Sequence, residues 1–309
     1  MTIVLVGSGR WGANILRDLL GIGVEVIVVD RNPNCRSMVE EMGASFTSNS
    51  EPCDLHCKDS IQAVIVATPA STHVEVIRNF AKLDVPIFSE KPLATNLSDA
   101  RSLVDQLGSR LFVMHVWRYH AGVLAMKQVI ESQELGPIRF IKSTRMNWTS
   151  PRSDVDSVWT LAPHDLSIAI ELLGCVPPLQ FASAELQAGR AVGMTCVLGK
   201  QPNFQLELST RCPEKIRRLQ VHFRDGVAWL DSDSATSLRI VKDNHQRGDG
   251  NTIEPQVEHL PFENKPPLRA KLEAIVEYLG GGPLPKSSAE EALQIVQRIT
   301  EMRTAAGIS

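Results

Sequence analysis

No apolar run in this chain approaches the length needed to cross a bilayer. The formal charge of −3 at neutral pH leaves no basic footprint of the kind that nucleic-acid binding requires. The six cysteines, Cys35, Cys53, Cys57, Cys175, Cys196 and Cys212, do not make a disulfide scaffold in a chain of 309 residues. Only Cys53-Asp54-Leu55-His56-Cys57 has a spacing that suggests a metal, and no second cluster completes four ligands. That stretch reads as a loop leading into a short helix, and no metal is expected. There is no internal repeat, and Met1-Thr2-Ile3 runs straight into an apolar strand without a charged leader. These absences set aside membrane and nucleic-acid partners and leave the expectation of a cytoplasmic protein.

What remains is globular: 43% apolar and 22% charged residues, in a chain long enough for two domains that each bury a core. Its clearest signal is in the first thirty residues. Ile3 to Val6 is an apolar strand, Gly7-Ser8-Gly9-Arg10-Trp11-Gly12 follows it, an amphipathic run reaches about Leu20, and a second apolar strand, Val24 to Val29, ends in Asp30. In such a unit one glycine makes the tight turn, one lets the backbone approach a pyrophosphate, and one lets the helix pack closely on the strand. The helix N-terminus offers free N–H groups and a positive dipole end to the pyrophosphate. Asp30 stands where a carboxylate accepts hydrogen bonds from an adenosine ribose, and it would repel a 2′-phosphate. NAD is therefore favoured over NADP, although Arg31 beside it could pair with that phosphate and keeps NADP open.

Further along, Gln62 to Ala67 is continuously apolar, as a strand covered on both faces should be. Its end, Thr68-Pro69-Ala70-Ser71, should face the same crevice as the glycine turn. Thr72-His73-Val74-Glu75 reads as a capping box that opens a helix to about Leu83, and His73 is counted only as a cofactor contact. Pro86 to Ser89 is a strand ending in Glu90-Lys91-Pro92-Leu93, Asn96 or Ser98 caps the next helix, and Leu111 to Met114 is one more strand. The pattern is α/β: an N-terminal Rossmann doubly wound parallel sheet over residues 1–118. Residues 119–309 form an α+β domain with a mainly antiparallel open sheet. It begins with a helix to about Glu131 and a long strand, Ile138 to Trp148, followed by a helix from His164 to Leu173. Strands come next without intervening helices, at about 180–186, 192–198, 204–210, 219–223 and 227–230, with Asp225-Gly226 as a hairpin turn. Residues 232–266 read as a polar excursion. Two closing helices follow, able to pack back on the first domain.

The glycine turn, Glu90-Lys91-Pro92 after a late strand, and Pro163-His164-Asp165-Leu166 in a second domain together resemble the glucose-fructose oxidoreductase and inositol dehydrogenase family (Gfo/Idh/MocA) over essentially the whole chain. The resemblance implies a nicotinamide-dependent oxidoreductase acting on a secondary alcohol or ketone of a sugar, nucleotide sugar or cyclic polyol. It assigns Lys91 as the active-site lysine and His164 as the catalytic histidine. Arg118 and Tyr119 match a segment lining the cleft, and Trp148, at the end of the long strand, is counted with the substrate-lining residues. It also implies a homodimer or homotetramer paired through the C-terminal sheet. One departure is plain: the family usually has Asp four residues before the histidine, and this chain has Thr160.

The chemistry has a basis of its own. Hydride loss from a carbinol carbon becomes easier as the hydroxyl loses its proton, so a base near neutral pKa is wanted, and histidine fits. A lysine beside the same oxygen stabilises developing alkoxide charge. The expected cofactor-binding set is Gly7, Ser8, Gly9, Arg10, Trp11, Gly12, Asp30, Arg31, Thr68, Pro69, His73, Glu90 and Lys91. Two other readings stay open: a reductase of another C=O or C=N bond on the same scaffold, and a regulator that binds NAD and a sugar without turnover.

Overall fold

The computed structural model describes residues 1–48, 60–149, 154–243, 254–263 and 265–308; Cys53 to Cys57 lie outside them. The chain divides into two compact units, residues 1–116 with 268–297, and residues 117–267 with 298–309.

In the first unit, β1 (Thr2–Val6), β2 (Glu25–Val29), β3 (Ser45–Thr47), β4 (Ile61–Val66), β5 (Ile87–Ser89) and β6 (Leu111–Val113) form one sheet in the order β3-β2-β1-β4-β5-β6. Every described pair in it is parallel. The crossovers include α1 (Arg10–Leu20), α2 (Arg36–Glu41), α3 (His73–Phe80) and α4 (Leu97–Leu107). The strand order reverses between β1 and β4, and in such sheets ligands bind in the crevice beyond the carboxyl ends of these strands. Ile3, Val4, Leu5, Ala63, Val64 and Ile65 are fully buried, which explains why both strands read as unbroken apolar runs. Asn96 caps α4, its side chain accepting from Asp99 N at 2.8 Å. The capping box expected at Thr72 does not form. A 3₁₀ turn, Ala70–Thr72, precedes α3, and the Thr72 hydroxyl donates to the Pro69 carbonyl at 2.8 Å. Glu75 pairs instead with Arg31.

The second unit is built on a sheet ordered β14-β13-β12-β11-β7-β10-β9-β8. Its strands are β7 (Ile138–Trp148), β8 (Leu179–Gln187), β9 (Arg190–Leu198), β10 (Asn203–Ser209), β11 (Arg211–Phe223), β12 (Gly226–Leu230), β13 (Ser237–Lys242) and β14 (Glu258–Pro261). All described pairs are antiparallel except β7 with β10. The stretch expected as an excursion contributes β13 and β14: Leu238 and Ile240 are buried between polar neighbours, a short alternation that the surrounding polar residues mask. α5 (Ala121–Ser132) and α6 (Ser157–Leu173) belong to this unit. α6 starts seven residues before the expected His164. Asp156 caps it, accepting from Val158 N at 3.1 Å and Trp159 N at 3.2 Å, and Arg303 pairs with the same carboxylate. Pro163 therefore sits inside the helix rather than at its start. Two closing helices, α7 (Pro267–Leu279) and α8 (Ala289–Ala305), end the chain, and the division between the units falls within α8.

Candidate active site

At the carboxyl end of β1 the three glycines divide their tasks. Gly7 has φ +98°, and a Cβ there would come within 2.9 Å of the Ala67 backbone. A Cβ on Gly12 would lie 2.1 Å from the Gly7 carbonyl oxygen, so only glycine lets α1 start this close to the turn. Around Gly9 there is open space to 4 Å. Gly9 is also the N-cap of α1 and brings no side-chain acceptor to its first turn, which carries no acidic residue. A bare helix N-terminus with room above it suits a dinucleotide pyrophosphate.

Asp30, at the end of β2, is held in place. Its Oδ2 accepts from Ser8 N at 2.7 Å and Ser8 Oγ at 2.8 Å, and its Oδ1 accepts from Asn32 N at 2.9 Å. A carboxylate has about four lone-pair sites, so Oδ1 retains capacity for a ribose hydroxyl. Arg31 reaches away to Glu75 at 3.2 Å in an exposed pair. The residues present fit the dinucleotide.

A second cluster ties later loops to this turn. The Trp11 indole N–H donates to Glu90 Oε1 at 2.6 Å, and Lys91 N donates to Glu90 Oε2 at 3.2 Å. Burial pushes the Glu90 carboxyl above its ordinary value, and the charge of Lys91, the Trp11 indole, the Lys91 amide and the charge of Lys271 pull it back. Lys271 was missed in the sequence: it is fully buried on α7, and its Nζ donates to the Lys286 carbonyl at 2.8 Å. The signal was there, since Lys271 occupies a core position in the stripe Leu268, Lys271, Leu272, Ile275. His73 is buried, with Nδ1 2.7 Å from the Pro92 carbonyl and Nε2 2.9 Å from the Thr68 carbonyl. It bridges the loop after β4 to the loop after β5, rather than standing in solvent or capping α3. With the Thr72 hydrogen on the Pro69 carbonyl, the Thr68 hydroxyl, 2.9 Å from Thr72 Oγ1, is the donor of that pair.

In the second unit, α6 is buried from Ser157 to Leu172 except at two residues, Thr160 and His164. They are one turn apart and so share a face. The Thr160 hydroxyl donates to the Asp156 carbonyl at 2.8 Å, so toward the imidazole it can offer only a lone pair. Asp165, next in the chain, is fixed by β7: Ser143 Oγ donates to its Oδ1 at 2.7 Å, and Arg145 donates from Nε at 2.5 Å and Nη2 at 3.1 Å. The Arg145 guanidinium carbon lies 4.2 Å from the centroid of the Trp117 ring, which stacks on His120 at 4.7 Å. Arg118 donates from Nε to Glu171 Oε2 at 3.0 Å, so this strut anchors the segment that carries Tyr119. Trp148 is 62% exposed, beside Arg211, and strand alternation puts it on the opposite face of β7 from Arg145. Ser143, Arg145, Trp117 and Glu171 were missed in the sequence. The polar residues Ser143 and Arg145 at alternate positions of a strand face shared with buried Ile141 were the available signal.

Residues 1–116 match the model of the oxidoreductase family with the NAD-binding Rossmann fold. These first 116 residues belong to the Gfo/Idh/MocA oxidoreductase family. Among its relatives, an uncharacterized oxidoreductase of Streptococcus pneumoniae is 28% identical over 155 residues, which are 49% of this chain and 42% of that protein; the match thus spans less than half of that relative. Inositol 2-dehydrogenase of Rhizobium meliloti is 23% identical over 272 residues, 81% of this chain and 80% of its own length. A solved structure of UDP-N-acetylglucosamine 3-dehydrogenase from Acidithiobacillus ferrooxidans, 20% identical, superimposes with a TM-score of 0.85 over 100% of this chain and 98% of that one. At that identity the likeness is one of fold. The matched residues are thus an NAD-binding Rossmann fold.

Proposed function

We propose that this protein is an NAD(P)-dependent oxidoreductase of the cytoplasm that interconverts a secondary alcohol and a ketone on a sugar, nucleotide sugar or cyclic polyol. The observation that carries the reading is the helix α6, buried from Ser157 to Leu172 except at Thr160 and His164, in a chain whose first unit binds a nicotinamide dinucleotide. When bound, the nicotinamide supplies the hydride acceptor or donor. Gly9 and the first turn of α1 hold the pyrophosphate, and Asp30 receives the ribose. In the oxidising direction His164 takes the hydroxyl proton on an imidazole nitrogen, and Lys91 carries the positive charge that stabilises the alkoxide. Thr160, limited to accepting, orients the ring through its N–H without stabilising an imidazolium as a carboxylate would. Relatives whose names give inositol and a nucleotide sugar as substrates support the substrate class. Arg118 and Tyr119 line the substrate side, and homo-oligomers form through the second unit's sheet.

The test is a screen for NAD reduction, and for NADH oxidation with the matching ketones, across sugars, polyols and nucleotide sugars. Turnover of one class supports the proposal. Tight NAD binding with no turnover in either direction would replace it with a non-catalytic regulator.

A further inference from the structure

The antiparallel ladder between β7 and β11 sets Arg145 directly opposite Arg217. Residues paired this way project from one face, about 5 Å apart at Cβ, and like charges placed there repel. Both heads are held in position. Arg145 is 3% exposed and gives its Nε and one Nη2 hydrogen to Asp165. Arg217 donates from Nη1 to the Met146 and Ile216 carbonyls at 2.6 and 2.7 Å, and from Nη2 to Asn147 Oδ1 at 2.6 Å. All three acceptors are neutral. A guanidinium has five N–H donors, so the Nε–H and one Nη2–H of Arg217 have no acceptor among the described residues, and neither does Nη1 of Arg145.

The neighbourhood is short of negative charge. Its second acid, Asp233, is bonded to Lys215 at 2.6 Å, so three cations stand with two carboxylates. Burial first, and then the charge of Arg145, hold the Arg217 guanidinium below the ordinary arginine range, at about 10. Exposed like charges relax into water, but these two are fixed by a β ladder, an aromatic ring and backbone carbonyls. Such an arrangement costs stability by itself and is preorganised for an oxyanion, which a guanidinium fork binds bidentately.

We propose that Arg217, with Nη1 of Arg145 beside it, forms an anion subsite on the α6 side of the second sheet, which takes the carboxylate or phosphate of an acidic sugar. Asp165, which holds Arg145, follows His164 in the chain, so the subsite adjoins the imidazole-bearing helix. That the ligand is a sugar rests on the dehydrogenase reading; that it is an anion rests on the arginines alone. A neutral polyol would leave the subsite unfilled.

Calorimetric titration of the full chain tests this, with NADH at saturation to occupy the dinucleotide site, and with glucuronate, glucose 1-phosphate and glucose as probes. An acidic probe is expected to bind at least about tenfold more tightly than glucose, with the preference falling as salt is added. Arg217→Gln should abolish the preference, and Arg217→Lys, which keeps the charge but not the fork, should retain part of it. The tighter of the two acidic probes tells carboxylate from phosphate. Equal or absent binding of the three probes, or an undiminished preference in a folded Arg217→Gln, would overturn the subsite. If Arg217→Gln fails to fold, a preference in Arg217→Lys that matches wild type and resists salt overturns it equally. The two readings fail separately: an acidic probe that binds more tightly, while the substrate screen finds no turnover of any class, sustains the subsite and defeats the dehydrogenase. Oxidation of a neutral sugar unchanged by Arg217→Gln does the reverse.

Discussion

Asp30 is fixed by three hydrogen bonds from Ser8 and Asn32 before any ligand arrives, so a 2′-phosphate would meet a charge that cannot swing away. NAD(H) is therefore expected to bind more tightly than NADP(H), and Asp30→Ala to narrow the gap, in titrations of both cofactors. Arg31 is held only by an exposed pair with Glu75, worth about 0–1 kcal/mol; tighter NADP binding would mean that it turns back and dominates. For the chemistry, Lys91→Ala and His164→Ala should each slow turnover roughly a hundredfold, the effect of about 3 kcal/mol of lost stabilisation, with NAD affinity changed much less. Thr160→Asp would put a carboxylate one turn from the imidazole, which raises its pKa, so in the oxidising direction, where His164 must be unprotonated, the acidic limb of the pH–rate profile should move to higher pH. Unchanged turnover in His164→Ala would return that histidine to a structural role. The residues these tests address were legible because local spacing marks them: a glycine turn, a tripeptide after a strand, an acid at a strand end. Arg145 and Lys271 left only a trace, a charge at a core position of an apolar strand or helix face, and Arg217 left none, because what each charge does is set by partners such as Asp165, Lys286 and Asn147 that no local pattern associates with it.

Helix α5 has a titratable cap. His120 Nδ1 accepts from Gly122 N at 3.1 Å, and Nε2 faces the Asp233 carbonyl at 3.3 Å, which fixes the neutral ring with its hydrogen on Nε2. Burial lowers the His120 pKa below 6.5, against the pull of Asp233. The folded protein thus binds fewer protons here than the unfolded chain, and stability from this group is complete above pH 6.5 and declines as the pH falls through the lowered value. Protonation of Nδ1 also removes the cap, worth about 1 kcal/mol. Thermal melts should show this decline, and His120→Asn, which caps without titrating, should flatten it; an equal decline in both would put the acid sensitivity elsewhere. Among the elements, strands with clean alternation such as β10 were readable to within a residue. The start of α6 was not, because Pro163 reads as a first-turn proline, whereas the cap at Asp156 and its tie to Arg303 come from the far end of the chain.

On the scale of the molecule, the face of the second sheet opposite α6 carries Trp148 and Phe181, 62% and 54% exposed. Large apolar side chains on a sheet face left open in one copy favour burial against another. Light scattering at micromolar concentration should give a dimer or tetramer, and Trp148→Glu with Phe181→Glu should shift it toward monomer; a wild-type monomer would remove the proposal. The domain division expected after residue 118 placed the closing helices only loosely, since their apolar stripes do not say which sheet they cover. In the structure the edge of the first sheet is finished from far down the chain. Val113 N donates to the Ser287 carbonyl at 2.9 Å, Phe112 bridges to Ser288, and Tyr278 meets the Phe112 ring edge-on at 5.6 Å. Synthesis runs from the first residue to the last, so the nucleotide-binding unit, although encoded first, is completed last. Until Ser288 has left the ribosome the edge of β6 stays open to pairing with other chains, and the second unit has by then been made almost in full. Protease pulses on stalled nascent chains would date that closure, which should come after residue 288 and not after residue 116.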